Sequence, residues 1–110
     1  MRVDDFSQVE WLDPWRPESS GLERELVSEV SPRHPLFQIE AIAIARRDDN
    51  DDVLFFLPKY APPLAVVHLT WRKQTETEWP FTCFYNSIAD FVEHRLKPDH
   101  RQYSIEDQDA

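Results

Sequence analysis

The 110 residues form one domain: about 100–150 residues carry a single hydrophobic core, and the 41% apolar share, with seven Phe, four Trp and three Tyr, is enough to build it. Twenty-one acidic residues against twelve basic ones give a formal charge of −9, which excludes binding that relies on Lys/Arg displacing phosphate counterions. A single glycine, Gly21, excludes phosphate-cradling loops, dinucleotide fingerprints and the G-x-S-x-G nucleophile elbow.

Residues 1–18 mix acids with Phe6, Val9, Trp11, Leu12 and Trp15. Pro14 and Pro17 argue against long regular structure there, while the aromatics predict an arm packed on the body. Ser20-Gly21-Leu22-Glu23 matches a capping box. Leu22, Leu26 and Val30, with Val27 beside them, form one apolar stripe, which predicts a helix over 20–30 closed off by Pro32 and Pro35. From Phe37 the period becomes two, with Phe37, Ile39, Ala41, Ala43 and Ala45 on one face and Gln38, Glu40, Ile42, Ile44 and Arg46 on the other.

A polar break, residues 46–52, separates that strand from the apolar run Val53–Leu57. Asn and Asp turn a hairpin where glycine is lacking. After the Pro-rich loop 59–63, Leu64–Trp71 reads as a third strand, Arg72–Glu78 as a turn and Phe81–Tyr85 as a fourth strand. Ser87 opens a second helix with apolar positions Ile88, Phe91, Val92 and Leu96, stopped by Pro98 and followed by an acidic, frayed tail.

The expected architecture is α+β. It is a four-stranded antiparallel meander with two helices packed on one face, in the order α-β-β-β-β-α, since short polar turns do not allow parallel crossovers. The expected divisions are an arm over 1–18, a domain over 19–98 and a tail over 99–110. The second strand is apolar on both faces, so it is central, or its second face is covered by the arm or by a partner or second copy.

The acidic turn Asp48, Asp49, Asp51 and Asp52 invites a calcium reading, but Val53 stands where an EF-hand needs glycine and Lys59 where it needs the bidentate glutamate. The turn is a solvated hairpin tip with Arg46 and Arg47 as counter-charges; its functional reading is a negative prong for a basic cleft. His68, beside Thr70, is a candidate general base, because a histidine side chain's unperturbed pKa of about 6.5 suits proton transfer near neutrality. No nucleophile marks itself, Cys83 lies on the next strand, and a hydrogen-bonded histidine is the simpler reading. His34, His94 and His100 lack metal spacing, and neither a metal nor a cofactor is expected; Asp90/His94 and Glu93/Lys97 are helix-surface pairs. Trp71 and Trp79 flank the turn that holds Arg72 and Glu76, which suits cross-strand stacking or an interface hot spot.

One cysteine cannot close an internal disulfide, no secretory pattern opens the chain, and no apolar run approaches the roughly 18–20 residues of a membrane span. The expectation is a cytoplasmic protein with a reduced thiol. The strings His34-Pro35-Leu36-Phe37, Ala43–Phe55, Ala65–Trp71 and Trp79-Pro80 with Tyr85 resemble a widespread family of short uncharacterised bacterial proteins, over roughly 20–97. That resemblance implies no activity. In size, acidity and layout the chain is also similar to immunity proteins that neutralise bacterial toxins.

The expected function is therefore an acidic interaction protein, and not an enzyme, that blocks a basic protein partner. Its expected contacts are Asp48, Asp49, Asp51, Asp52, Trp71, Arg72, Glu76 and Trp79, without direct nucleic-acid or membrane binding and with a homodimer as a possible assembly. The alternatives are a nucleic-acid mimic that inhibits a DNA-binding defence enzyme, or a small enzyme using His68.

Overall fold

The chain was analysed as a computed structural model, which describes residues 1–18, 21–72 and 79–109. Its strands are β1 (Trp15–Pro17), β2 (Ile42–Arg47), β3 (Asp52–Phe56), β4 (Leu64–His68) and β5 (Thr82–Tyr85). They form one antiparallel sheet in the order β1-β2-β3-β4-β5. Every residue of β3 is buried, as a doubly apolar strand requires at the centre of a covered sheet.

The four-stranded meander with two helices on one face is corrected on three points. First, the arm supplies a fifth strand: Trp15, Arg16 and Pro17 pair with Arg47, Arg46 and Ala45. Three residues suffice for an edge strand, and proline is tolerated on an edge. Second, helices cover both faces. Helix α1 (Leu22–Glu29) sets Leu22 and Leu26 against Val53, Phe55, Ala65 and Val67. On the opposite face Phe6, Trp15, Phe91 and Leu96 close over Leu54, Phe56, Leu64 and Val66. Adjacent residues of β3 and β4 point to opposite faces, so a strand apolar throughout needs a layer on each side.

Third, the C-terminal helix does not stop at Pro98. Helix α2 (Ile88–Phe91) passes through a π-helical segment, Val92–Leu96, into α3 (Lys97–Asp109). The wide turn, closed by the Lys97 amide on the Val92 carbonyl, precedes the proline. In an unbroken α-helix the Pro98 ring would meet the carbonyl of His94.

The first predicted strand is shortened as well. Gln38 has φ 60°, outside strand geometry, and β2 begins at Ile42. A bulge follows: Ala43 pairs with Phe55 but Ala45 with Leu54, so Ile44 is the extra residue. The expected alternation breaks there, placing Ala43 on the α1 face and both Ile44 and Ala45 on the other. At the helix starts, Ser87 Oγ accepts the Asp90 amide as expected. The N-cap of α1 is Gly21, at φ 79°, while Ser20 lies outside the described residues. The Glu23 carboxylate reaches away from that box and accepts the Ala43 amide at 2.8 Å, tying α1 to β2.

Phe91 is the hub of the arm-side core, with Trp15 edge-on at 5.3 Å, Tyr85 at 5.7 Å and Trp11 at 6.4 Å between ring centroids. Phe91→Ala is expected to cost about 3–5 kcal/mol in urea unfolding, against less than about 0.5 kcal/mol for Val27→Ala on the solvent side of α1.

Candidate functional site

The polar heart of the molecule lies where β3 begins and β4 ends. Asp52, only 6% exposed, is opposite His68 in the register. His68 Nδ1–H donates to Asp52 Oδ1 at 2.7 Å, and Arg95 from the π-helical segment donates to Oδ2 at 2.6 Å. Arg95 also donates to Asp99 at 2.9 Å and to the Tyr85 hydroxyl at 3.4 Å. Asp99 in turn accepts from Trp15 Nε1 at 2.8 Å and pairs with Arg47 at 3.2 Å. Burial opposes the charge on Arg95, but the Tyr85 hydroxyl, Asp99 and Asp52 outweigh it and hold the guanidinium above its ordinary pKa.

The four aspartates of the turn are each engaged within the chain. Asp48 pairs with Arg16, and Asp49 takes a two-pronged bond from Arg47 at 2.8 and 2.7 Å. Asp51 accepts from Trp71 Nε1 at 3.3 Å, and Asp52 sits in the network above. The Asn50 side chain closes the turn by accepting the Asp52 amide.

A second buried carboxylate sits on the other side of the sheet end. Glu29, the last residue of α1, is 0% exposed. Its Oε1 accepts the Thr70 amide and hydroxyl, both at 2.7 Å, and its Oε2 accepts the Trp71 amide at 2.8 Å. These bonds hold Trp71 at φ 59°, a left-handed conformation that costs a bulky L-residue about 1–2 kcal/mol. The residue so placed is 52% exposed.

Around these groups lies an open depression of about 370 Å³, lined by Asp51, His68, Leu69, Thr70, Arg72 and Trp79. Trp79 stacks edge-on against Phe81 at 5.1 Å, and Phe81 is 58% exposed. The imidazole of His68 is 45% exposed. Of the sequence-predicted contacts, Asp51, Arg72 and Trp79 thus line one depression with His68 and Thr70, while Trp71 is bonded to Asp51 beside it. Asp48, Asp49 and Asp52 belong to the ion-pair network, and Glu76 lies outside the described residues.

Sequence reasoning missed Glu29, Arg95, Asp99 and Phe81. Glu29 stands between Ser28 and Val30 at the end of a helix, and its partners, two backbone amides and the Thr70 hydroxyl, lie 41 or 42 residues away with no sequence signature. Cys83 pairs with Val66, two residues along from Phe81, which lies opposite His68, and the cysteine is exposed. His34 is buried as a brace: Nδ1 accepts the Leu36 amide and Nε2–H donates to the Pro80 carbonyl, each at 3.0 Å. A second concavity, about 280 Å³ between α1 and residues 36–41, has walls of Leu26, Val27, Val30, Leu36 and Phe37, and its one carboxylate, Glu23, is bonded to Ala43. Among the described residues no three His, Cys, Asp or Glu side chains converge to hold a metal ion, and no helix is long and apolar enough to cross a membrane.

In comparisons with known proteins, no family model, curated protein or solved structure matches the chain.

One turn before Glu29, Glu25 shares a hydrogen bond with it. That bond, together with burial and charge repulsion, pushes the Glu25 carboxyl from 4.5 up to about 7. The folded state thus holds a proton that the unfolded chain gives up at lower pH. The contribution of this group to folding is fully present below pH 4.5, is lost as pH rises toward 7, and levels off above it. Glu25→Gln is expected to flatten that decline in urea midpoints taken from pH 4.5 to 8 and to be the more stable protein at pH 8. On the opposite face, Arg95→Met leaves Asp52 and Asp99 short of a cation and is expected to cost about 3–5 kcal/mol.

Proposed function

We propose that this protein is a cytoplasmic interaction protein of the immunity type, which binds and blocks a basic protein partner such as a bacterial toxin through the face bearing Trp71, Arg72, Trp79 and Phe81. One observation carries this reading: a wholly buried carboxylate, Glu29, holds Trp71 in a strained backbone conformation with the residue half exposed. Core formation does not need that arrangement, because the ring is not in the core. A rigid, exposed aromatic is what a protein–protein contact uses, since its side chain has little entropy left to lose on binding. Phe81, braced by Trp79, extends the same surface.

The charge acts at a distance. A net −9 speeds encounter with a cationic surface, while the aromatics supply the short-range contact. The acidic turn adjoins that surface: Asp51 lines the depression and accepts from the Trp71 indole, while Asp48, Asp49 and Asp52 bond Arg16, Arg47 and Arg95.

A second reading, a small enzyme using His68, is favoured by the His68–Asp52 bond, which orients an imidazole as a general base requires. Against it, the Thr70 hydroxyl beside it already donates to Glu29. His68→Gln separates the two: an enzyme loses turnover, whereas a binding protein keeps its complex.

The test is association with the products of adjoining genes, any basic protein among them first. The association rate is expected to fall at least about tenfold between low and high salt; a salt-independent rate, or no complex with neighbouring gene products, would contradict the reading. Trp71→Gly removes both the indole and the strain. It is expected to weaken the complex by about 2 kcal/mol, roughly thirtyfold, with fold stability unchanged or raised by up to about 1 kcal/mol.

A further inference from the structure

The two edges of the sheet are built differently. On β1, Arg16 and Pro17 occupy two of three positions, and a charge and a proline are what natural sheets use to refuse a further strand. On β5 the sequence Thr82-Cys83-Phe84-Tyr85 has no charge, no proline and no bulge in its pairing with β4.

The register fixes which of its backbone groups are open. Leu69 N–H donates to Asp51 and Leu57 N–H to Pro63, so the odd-numbered residues of β4 bond to β3. His68 N–H donates to the Phe81 carbonyl, so the even-numbered residues bond to β5. Phe81, Cys83 and Tyr85 therefore face β4 with their amides and carbonyls, while those of Thr82 and Phe84 point outward. Among the described residues no strand pairs with that edge. It starts at Phe81, on the rim of the depression beside His68, and Cys83 on it is exposed.

We infer that the outer edge of β5 docks an extended strand of a basic partner, which adds to the sheet as a sixth strand. The outward Thr82 and Phe84 groups, unpaired with any strand among the described residues, offer two donors and two acceptors at the spacing of a strand, as strand addition requires. The charge of −9 selects a strand carrying Lys or Arg, and Phe81 at the near end lies against its flank. This inference rests on the binding role proposed above and assigns it a mode and a partner segment.

The probe is a capped alternating Lys–Val octapeptide, with its Glu–Val counterpart as control, followed by amide hydrogen exchange. At about 1 mM Lys–Val peptide and low salt, exchange at Thr82 and Phe84 is expected to slow about tenfold, with Val66 and Leu64 unchanged. Thr82→Pro deletes an outward donor without removing a bond to β4 and is expected to abolish that protection; Thr82→Val, which keeps the amide, retains it. Near-UV circular dichroism checks that both variants fold.

No slowing at Thr82 and Phe84, or equal binding by Thr82→Pro, overturns the inference. So does a dimer of the free protein that Thr82→Pro dissociates, because a second copy would then occupy the edge. If the adjoining gene product binds with steep salt dependence while Thr82 and Phe84 stay unprotected, the edge inference falls and the interaction reading stands. If the Glu–Val peptide adds as well as the Lys–Val peptide, the basic character assigned to the partner strand falls.

Discussion

A carboxylate buried at the start of the central strand constrains this fold more than any other group. At 6% exposure the Asp52 carboxyl needs donors to replace water, and they come from two directions: His68 across the ladder and Arg95 from the helical segment after β5. That demand fixes the C-terminal helix on the arm side of the sheet. It also gives a reason for the π-helical turn, which carries Arg95 and lets the helix continue past Pro98 to bring Asp99 under Trp15 and Arg47. A buried ionic cluster of this kind contributes little net stability relative to an apolar replacement, but it makes misplacement of any one member costly.

The same logic, with backbone amides in place of cations, operates on the α1 face. Glu29 collects three donors from Thr70 and Trp71 and so converts the end of β4 into a rigid platform. Glu25, holding its proton up to about pH 7, limits the repulsion that a second charge would impose on that platform. Two buried acids, one on each face, thus lock the corner of the sheet at which the exposed aromatics gather. The acidic turn is bonded to Arg16, Arg47 and Arg95 while Asp48 and Asp49 stay at the surface; in the proposed binding role Trp71, Arg72, Trp79 and Phe81 supply the short-range contact and the net charge works at long range.

Much of this was legible in the sequence wherever the signal was periodic and local. The central strands, the Ser87 cap and the α1 stripe follow from alternation, hydroxyl placement and fourfold spacing. His68, Thr70, Arg72 and Trp79 line one depression, although the sequence reading keeps His68 and Thr70 apart from Arg72 and Trp79. What failed required knowledge of distant partners. A three-residue edge strand has no period to read, and Pro14 and Pro17 pointed away from it. Ile44 sits in a bulge that shifts the faces of β2 by one residue, which alternation alone cannot signal. Pro98 is a breaker in an α-helix but not after a π-helical turn. Arg47 does serve Asp49 as the local counter-charge the sequence suggests, but Arg16 and Arg95, the partners of Asp48 and Asp52, lie too far away in sequence to be read from it.

The account stands on the claim that the corner held by Glu29 and Asp52 is the recognition surface. Amide chemical-shift mapping of the labelled protein, titrated with its basic partner, tests this most directly. The perturbed residues are predicted to run from Trp71 and Arg72 through Phe81 along the outer side of β5, with α3 and the cavity beside Val27 and Phe37 silent. A footprint centred on that cavity or on α3, leaving Trp71 and Phe81 unmoved, would contradict it.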